Sequence, residues 1–421
     1  MNKATALKYL LIALFVVVLG VLAVTFFMKQ KETNGVPVLT QPRQTQTNNR
    51  ASEEPVSVDT SSDTALPSDK KATKETVALF QNLRALRGKG LIFGQQHASL
   101  SGQQWNAKAG QKNVSDIETA VGDGPGLYGI NLNTNYTVGE GMDRLKPYVL
   151  DAYRKGAVVT VHMPMPNPVT LGDSHDFNGD PMVNLMPGKS GNENFKKILD
   201  DIADFANSAE ENGVKIPLIF RPWHEMTGSW DWWGQKHSAP EEYIAAWRYM
   251  VDYLRNEKGV HNVLFAFAPS QVTDHPNGGF DRYPGDAYVD VVGVDRYDTD
   301  ETEKGKRVSD NYTQAILADA RFLVEFAEEH GKVAAITESG VKQGFGNTTS
   351  QDWFMKDFLE PLKADPVAKN IVYFMTWTNE PRGGEGGYRV PLPGQKNYDS
   401  FVKFYNDPYT LFDRDLPNMY K

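Results

Sequence analysis

The run PLIFRPW at residues 217–223 is a short apolar stretch that leads directly into the polar pair His224 and Glu225. Such a run lacks the alternation of a half-exposed strand, so it predicts a β-strand that is buried on both faces. Seven further runs have the same form and predict a parallel sheet: LIFG (91–94), LYGINL (127–132), AVVTVHM (157–163), NVLFAFAP (262–269), VDVVGVDRY (289–297), KVAAITES (332–339) and IVYFMTW (371–377).

Amphipathic helical patterns lie between most of these runs. Residues 195–212, 240–257 and 311–330 place apolar side chains at spacings of three and four, with charged residues between them. Eight strand–helix units in residues 74–421 have the number and the length of a (β/α)8 barrel with insertions. We therefore predict an α/β fold of this TIM-barrel type, with a doubly wound open sheet as the structural alternative.

The composition excludes several classes of function. The chain has 421 residues, a net charge of −9 and no cysteine. Disulfides, cysteine-based zinc sites and thiol nucleophiles are therefore impossible. The acidic balance gives no reason to expect a nucleic-acid partner, because such partners select basic surfaces.

The amino-terminal part of the chain predicts export. LLIALFVVVLGVLAVTFFM (10–28) is apolar and has about the length needed to cross a bilayer core. We predict that residues 1–28 are an uncleaved signal anchor or, alternatively, a cleaved signal peptide. Residues 29–73 are rich in Ser, Thr, Gln, Asn and Pro and predict a disordered linker. We therefore expect a monomer that is anchored in a membrane and faces the periplasm or exterior, or that is secreted after cleavage.

Polar side chains end several of the predicted strands. Glu225 ends the fourth strand and Glu338 the seventh, while His162, Tyr297 and Trp377 end the third, sixth and eighth. The carboxyl ends of the strands of a (β/α)8 barrel surround the active site, so these residues should meet at one rim. Two facing carboxylates predict glycoside hydrolysis, in which one acts as an acid and the other acts at the anomeric carbon.

Tryptophans surround the first of these carboxylates. RPWHEMTGSWDWWG (221–234) holds four of the eight tryptophans in the chain. Aromatic rings stack on the apolar C–H faces of sugars, while polar groups bind the hydroxyls. A cleft that contains Trp230, Trp232, Trp233 and Trp377 therefore predicts a polysaccharide substrate.

These motifs together resemble a known family. RPWHEMTGSWDWWG, followed in order by VVGVDRY, AAITESG and FMTWTNEP, is similar to glycoside hydrolase family 26, the β-mannanases of clan A. The resemblance extends from FGQQH near residue 93 to the carboxyl terminus. It implies a retaining, endo-acting β-1,4-mannanase that hydrolyses mannan, glucomannan or galactomannan with two glutamates, and needs no cofactor or metal.

The resemblance also implies a role for each matching residue. Glu225 is expected to be the general acid/base and Glu338 the nucleophile that forms the glycosyl-enzyme. Tyr297 is expected to donate a hydrogen bond to the nucleophile, and Arg221 to lie beneath it and favour its charged form. His224 is expected to contact the sugar or the two carboxylates. The other expected substrate contacts are His162, Trp230 beside the acid, Trp233, and Trp377 under the sugar whose bond breaks.

Two stretches depart from the family pattern. TVHMPMPNP (160–168) stands where many relatives have a late His or Trp-His pair, and YGINLNT (128–134) stands where many have GWD. Both help to form the sugar-binding cleft, so other members of the same family remain alternatives: an exo-acting mannobiohydrolase, a β-1,3-xylanase or a mixed-linkage β-glucanase. A non-catalytic polysaccharide-binding protein is the alternative of another class, although it would not need both glutamates.

Overall fold

The eight predicted strands form a closed parallel barrel in the computed structural model, which describes residues 65–107, 114–132, 141–299, 302–303, 306–307, 309–380 and 386–421. The barrel strands are β1 (Leu91–Gln96), β2 (Leu127–Asn131), β3 (Val158–Met163), β4 (Leu218–Pro222), β5 (Val263–Phe267), β6 (Val291–Asp298), β7 (Val333–Val341) and β8 (Tyr373–Thr376). Each strand pairs in parallel with the next, and β8 pairs with β1, so the sheet closes on itself. The predicted barrel is confirmed, and the open sheet is excluded.

Shorter strands lie outside the barrel. A ninth strand of the main sheet, β9 (Thr410–Leu411), pairs with the start of β1. Three antiparallel hairpins pair Ser101–Gly102 with Trp105–Asn106, Glu210–Glu211 with Val214–Lys215, and Thr302–Glu303 with Lys306–Arg307.

The helices surround the barrel as the amphipathic patterns predict. They are α1 (Lys74–Ala85), α2 (Asp116–Val121), α3 (Lys146–Arg154), α4 (Pro181–Asn184), α5 (Asn192–Ser208), α6 (Pro240–Asp252), α7 (Ser309–His330), α8 (Glu360–Ala364) and α9 (Tyr398–Asn406). Two π-helical segments (Tyr253–Glu257 and Trp353–Leu359) and six 3₁₀ segments (Met142–Leu145, Val272–Asp274, Pro276–Arg282, Asp286–Tyr288, Ala368–Asn370 and Asp413–Asp415) complete the helical structure of the described residues.

Two apolar clusters hold these layers together. The larger one packs the outer faces of the strands against the helices, with aromatic residues such as Trp223, Trp247 and Phe401 fully buried. The smaller one fills the barrel, and Leu79 and Leu83 of α1 belong to it. Helix α1 contacts β5 and β7 and therefore closes one end of the barrel, which leaves the carboxyl ends of the strands at the other end for the site.

The folded body begins earlier than the predicted boundary at Lys74. The backbone N–H of Ser68 donates to the carboxylate of Asp290 at 2.6 Å. The carboxylate of Asp69 accepts a hydrogen bond from His261 Nδ1 at 2.7 Å. These bonds fix the chain before Lys74 to the barrel, so the described part of the predicted linker, residues 65–73, belongs with the barrel instead.

The predicted signal segment at residues 1–28 and the linker up to residue 64 lie outside the described residues. Within the ranges that the structure describes, no helix combines the length and the apolar character required to span a bilayer.

Candidate active site

Strand β4 delivers the first glutamate through an unusual turn. Trp223 and Glu225 both have left-handed backbone conformations, with φ of 43° and 56°. Non-glycine residues rarely adopt such angles, and those that do cluster at functional sites. The Glu225 N–H donates to the carbonyl of Ala268 at 2.7 Å, and the Tyr243 hydroxyl donates to the carbonyl of Trp223 at 3.1 Å. These neighbours hold the turn in place at the rim of the barrel.

Both carboxylate oxygens of Glu338, on β7, are bound by other side chains. The guanidinium of Arg221 donates to one oxygen. The Tyr297 hydroxyl donates to the other at 2.9 Å. Arg221 is almost fully buried beneath the site, so this ion pair is shielded from water. A carboxylate with a cation on one oxygen and a phenol on the other is held in one orientation.

Asp295 is a third carboxylate in the cluster, and the sequence analysis did not identify it. It is fully buried on β6 and accepts hydrogen bonds from Arg221 and from the Thr337 hydroxyl, the latter at 2.5 Å. A signal was present in the sequence: side chains two residues apart on a strand share a face, and Asp295 lies two before Tyr297. Asp295 acts through Arg221, whose guanidinium it holds in place.

Arg221 thus lies among three carboxylates, and burial together with the charges of this cluster shifts the pKa of Glu225. Burial raises the pKa of Glu225 well above its usual range, and the negative charges of Asp295 and Glu338 raise it further, while Arg221 opposes them only in part. Burial also raises the pKa of the Tyr297 phenol, so that it remains a hydrogen-bond donor. The arrangement favours a proton on Glu225, as a general acid requires, and it orients Glu338 with two hydrogen bonds, as a nucleophile requires.

Aromatic rings and histidines form the wall of the site. The Trp230 ring is 45% exposed, and its Nε1 donates to Glu225 Oε2 at 3.0 Å. Trp377 follows the end of β8 and is half-buried. The ring of His162 lies 5.8 Å from that of Trp377 and 5.2 Å from that of His224. Burial lowers the pKa values of both histidines, so they are neutral.

The predicted sugar contact of Trp233 is wrong. Its side chain is fully buried, and its Nε1 donates to the carbonyl of His224 at 2.8 Å. Trp232 is buried in the same way and donates to the carbonyl of Met165 at 2.8 Å. The two rings meet edge to face at 5.2 Å and support the turn from below. The remaining predicted residues lie together at the carboxyl ends of the strands, and their roles toward substrate stay predictions.

Three of these side chains could also approach a metal ion. One ligand atom each of His224, Asp295 and Glu338 lie within 4.8 Å of one another. However, Arg221 already supplies the positive charge between the two carboxylates, and a guanidinium repels a metal cation. The cluster is therefore better matched to an ion-pair network than to a metal centre.

A (β/α)8 barrel with two glutamates at the ends of β4 and β7, in different environments and beside the rings of Trp230 and Trp377, has the features of a glycoside hydrolase. Comparison with known proteins identifies the family. The model of Glycosyl hydrolase family 26 matches residues 68–375, and the chain belongs to this family.

Individual relatives agree with this assignment. A mannan endo-1,4-β-mannosidase of Bifidobacterium adolescentis is 37% identical in an alignment 338 residues long, which covers 76% of this chain. A solved double mutant of an endo-β-1,4-mannanase from Cellulomonas fimi is 35% identical with a TM-score of 0.76, covering 85% of this chain and 80% of that one. The catalytic domain of a Bacillus sp. JAMB-750 endo-β-1,4-mannanase is 32% identical with a TM-score of 0.77, covering 86% and 97%.

The curated relatives are longer than the matched region. The chain spans 32% of the length of the Bifidobacterium adolescentis protein and 44% of a Caldalkalibacillus mannanilyticus relative described as mannan endo-1,4-β-mannosidase A and B.

Proposed function

We propose that this protein is a retaining, endo-acting β-1,4-mannanase that hydrolyses mannan, glucomannan or galactomannan. The observation that carries the proposal is the difference between the environments of the two glutamates at the rim of the barrel. Glu338 is bound by Arg221 and Tyr297, whereas burial and neighbouring charges favour a proton on Glu225. Two glutamates in these states are sufficient for the reaction, without a cofactor or metal.

The first chemical step would form a covalent intermediate. A carboxylate oxygen of Glu338 attacks the anomeric carbon while the bond from that carbon to the leaving oxygen breaks. Glu225 gives its proton to the leaving oxygen, so the departing chain leaves as a neutral alcohol and Glu225 becomes ionised. The hydrogen bonds to Glu338 hold the attacking oxygen in place and limit the entropy that the step must lose.

The second step would reverse these roles. The ionised Glu225 takes a proton from water, the water oxygen bonds to the anomeric carbon, and the ester bond to Glu338 breaks. The sugar leaves with its original anomeric configuration, and both glutamates return to their starting states. Arg221 and Tyr297 again stabilise the departing carboxylate.

The substrate proposal rests on the relatives and on the aromatic wall. The Bifidobacterium adolescentis and Cellulomonas fimi relatives are named as endo-acting β-1,4-mannanases. Trp230 and Trp377 offer ring surface beside Glu225 and the histidines, as a chain of pyranose rings requires. His162 and His224 are neutral and can donate or accept hydrogen bonds with sugar hydroxyls.

Product analysis of the wild-type protein tests the substrate and the mode of action. The full-length protein is incubated with mannan, glucomannan, mixed-linkage glucan and β-1,3-xylan, and the released sugars are separated by size. A ladder of manno-oligosaccharides supports the proposal, whereas mannobiose alone indicates exo action. Release of sugars only from glucan or xylan would show that the same chemistry acts on a substrate other than mannan.

The variants test the two roles. Glu338→Gln should remove nearly all turnover while oligosaccharide binding remains detectable. Glu225→Ala should lose activity on polysaccharide but retain its first step on aryl glycosides, whose leaving groups need no proton. The control is Trp105→Phe, which changes a partly buried ring in another part of the chain whose Nε1 donates to Asp116. If neither glutamate variant lowers the rate by orders of magnitude, the assignment is incorrect.

We also propose that the protein is exported as a monomer with residues 74–421 as the main part of its catalytic domain. The apolar residues 10–28 support either a membrane anchor or a cleaved signal peptide, followed by a linker. The mass of the mature protein distinguishes cleavage from retention, and cell fractionation distinguishes a membrane-bound protein from a secreted one. Recovery of the full-length chain in the cytoplasm would contradict export.

A further inference from the structure

An exposed aromatic ring lies near the site without a role in the mechanism above. Phe177, in the loop that follows β3, is 41% exposed. One face of its ring stacks on the His237 ring, with the centroids 4.0 Å apart and the planes 5° from parallel. The ring is therefore supported from behind while its other surface is open to solvent.

The loop that carries Phe177 is joined to the loop that carries Trp230. His237 Nε2 donates to the carbonyl of Ser229 at 3.1 Å, and His175 Nδ1 donates to the carbonyl of Trp230 at 2.7 Å. Phe177 and its support thus lie directly beside the backbone of the exposed tryptophan that contacts Glu225.

The backbone around Phe177 is also fixed from within. The buried side-chain amide of Asn167 donates to the carbonyls of Asp176 and Asn178, at 2.8 and 2.9 Å, which are the residues on either side of Phe177. The N–H of Trp232 donates to the carbonyl of Ser174 at 2.9 Å. The exposed ring is thus held on a rigid support, and a ligand that stacks on it has little motion left to restrict.

The contacts also indicate which side of the cleft this ring serves. Trp230 donates to Glu225, the residue proposed to protonate the leaving oxygen. The path of contacts from Glu338 passes through the cluster to Glu225, then to Trp230, and then through His237 to Phe177. Phe177 is therefore connected to the loop of Trp230, which contacts the acid and is on the side that we assign to the leaving part of a polysaccharide.

We propose that Phe177, supported by His237, is a stacking position for a distal sugar of the leaving side, one step beyond Trp230. The inference rests on the proposed endo-mannanase function, since it assigns a subsite to that same cleft. A rigid, flat and half-exposed ring fits the C–H face of a pyranose. Phe177 thereby favours bonds that have at least two sugars on the leaving side, because only these place a second sugar beyond the bond that breaks.

The test compares substrates that reach Phe177 with substrates that do not. The full-length protein and Phe177→Ala are assayed on manno-oligosaccharides of increasing length and on an aryl manno-oligosaccharide whose aryl group is the whole leaving part. We expect Phe177→Ala to lose about 3- to 10-fold in kcat/KM on the longest oligosaccharides, the size of a lost stacking contact. We expect an unchanged kcat/KM on the aryl substrate and restoration by Phe177→Tyr.

Val183→Ala is the matched control. Val183 is an apolar residue with an exposure similar to that of Phe177, and it lies in the following short helix, α4. This variant should leave both substrate classes unaffected. Equal loss on both substrate classes in Phe177→Ala would show a purely structural role and overturn the inference, as would no loss on any substrate. If the wild-type protein fails to cleave mannan and its oligosaccharides, the proposed function fails and the inference with it; an active wild type with an unaffected Phe177→Ala refutes the inference alone.

Discussion

The hydrogen bond from Trp230 to Glu225 allows a direct test of how the acid is tuned. Trp230 Nε1 donates to Glu225 Oε2 at 3.0 Å. A donor to a carboxylate favours its ionised form and so lowers its pKa, in opposition to burial and to the charges of Asp295 and Glu338. Trp230→Phe keeps an aromatic ring in the cleft but removes the N–H. The pKa of Glu225 should therefore rise.

The size of this change follows from the exposure of the donor. A hydrogen bond to a charged group contributes about 1.5–3 kcal/mol when it is well shielded. Because Trp230 is 45% exposed, water can replace much of the lost bond, so we take about half of that range. At about 1.36 kcal/mol per pKa unit, the pKa of Glu225 rises by about 0.5–1. The acid must be protonated to act, so activity persists to higher pH by the same amount.

The assay is kcat/KM against pH on a manno-oligosaccharide, since this profile reports the groups of the free enzyme. The alkaline limb should move to higher pH in Trp230→Phe. Trp105→Phe is the matched control, because it removes a partly buried indole N–H that donates to Asp116 and not to Glu225. An alkaline limb that stays in place in Trp230→Phe, or moves to lower pH, would refute the role given to this bond.

Three further changes test other parts of the structure. Tyr297→Phe removes the donor to Glu338 and should lower kcat/KM about 10- to 100-fold in steady-state kinetics with little change in melting temperature; a loss below threefold would contradict the role of this bond. Asp295→Asn removes one of the two carboxylates that hold the Arg221 guanidinium and should lower kcat/KM about 10-fold or more in steady-state kinetics, whereas an unchanged value would show that this contact is dispensable. Burial raises the pKa of Asp413 to about 7, so its ionisation in the folded state opposes folding as pH rises from about 4 to 7; Asp413→Asn should stabilise the protein more at pH 8 than at pH 5 in urea unfolding, and an equal gain at both would refute this.

The barrel could be predicted from the sequence because its strands are buried on both faces. The run at 217–223 became β4, Leu218–Pro222, and the other seven runs became strands in the same order. Helix ends were less certain: the apolar pattern of residues 195–212 suggested one helix, but α5 stops at Ser208. Asn212 and Gly213 have φ of 52° and 81° and form a hairpin turn, which the Asn-Gly pair could have indicated.

The site was predictable where a residue ends a strand and less so where it lies in a loop. The pleat of β6 fixes the direction of Tyr297, whereas Glu338 meets it at an irregularity of β7 between Ile336 and Ser339. Trp233 lies in an irregular loop, where spacing does not reveal which side chain faces the core, and it is buried. The left-handed conformation of Glu225 depends on tertiary contacts such as its bond to Ala268, and no local pattern encodes it.

The protonation of Asp295 also bears on how the cluster would accelerate the reaction. Burial raises the pKa of Asp295 to about 7, although the neighbouring Arg221 guanidinium opposes this rise. The charge of the buried cluster therefore changes near neutral pH, and fixed charges act strongly in a site with little water. The transition state of glycoside hydrolysis carries positive charge on the sugar ring. Asp295 therefore has a second consequence besides holding Arg221: when it is ionised, its negative charge attracts the transition state more than the uncharged substrate, and this contribution is lost when the carboxyl is protonated.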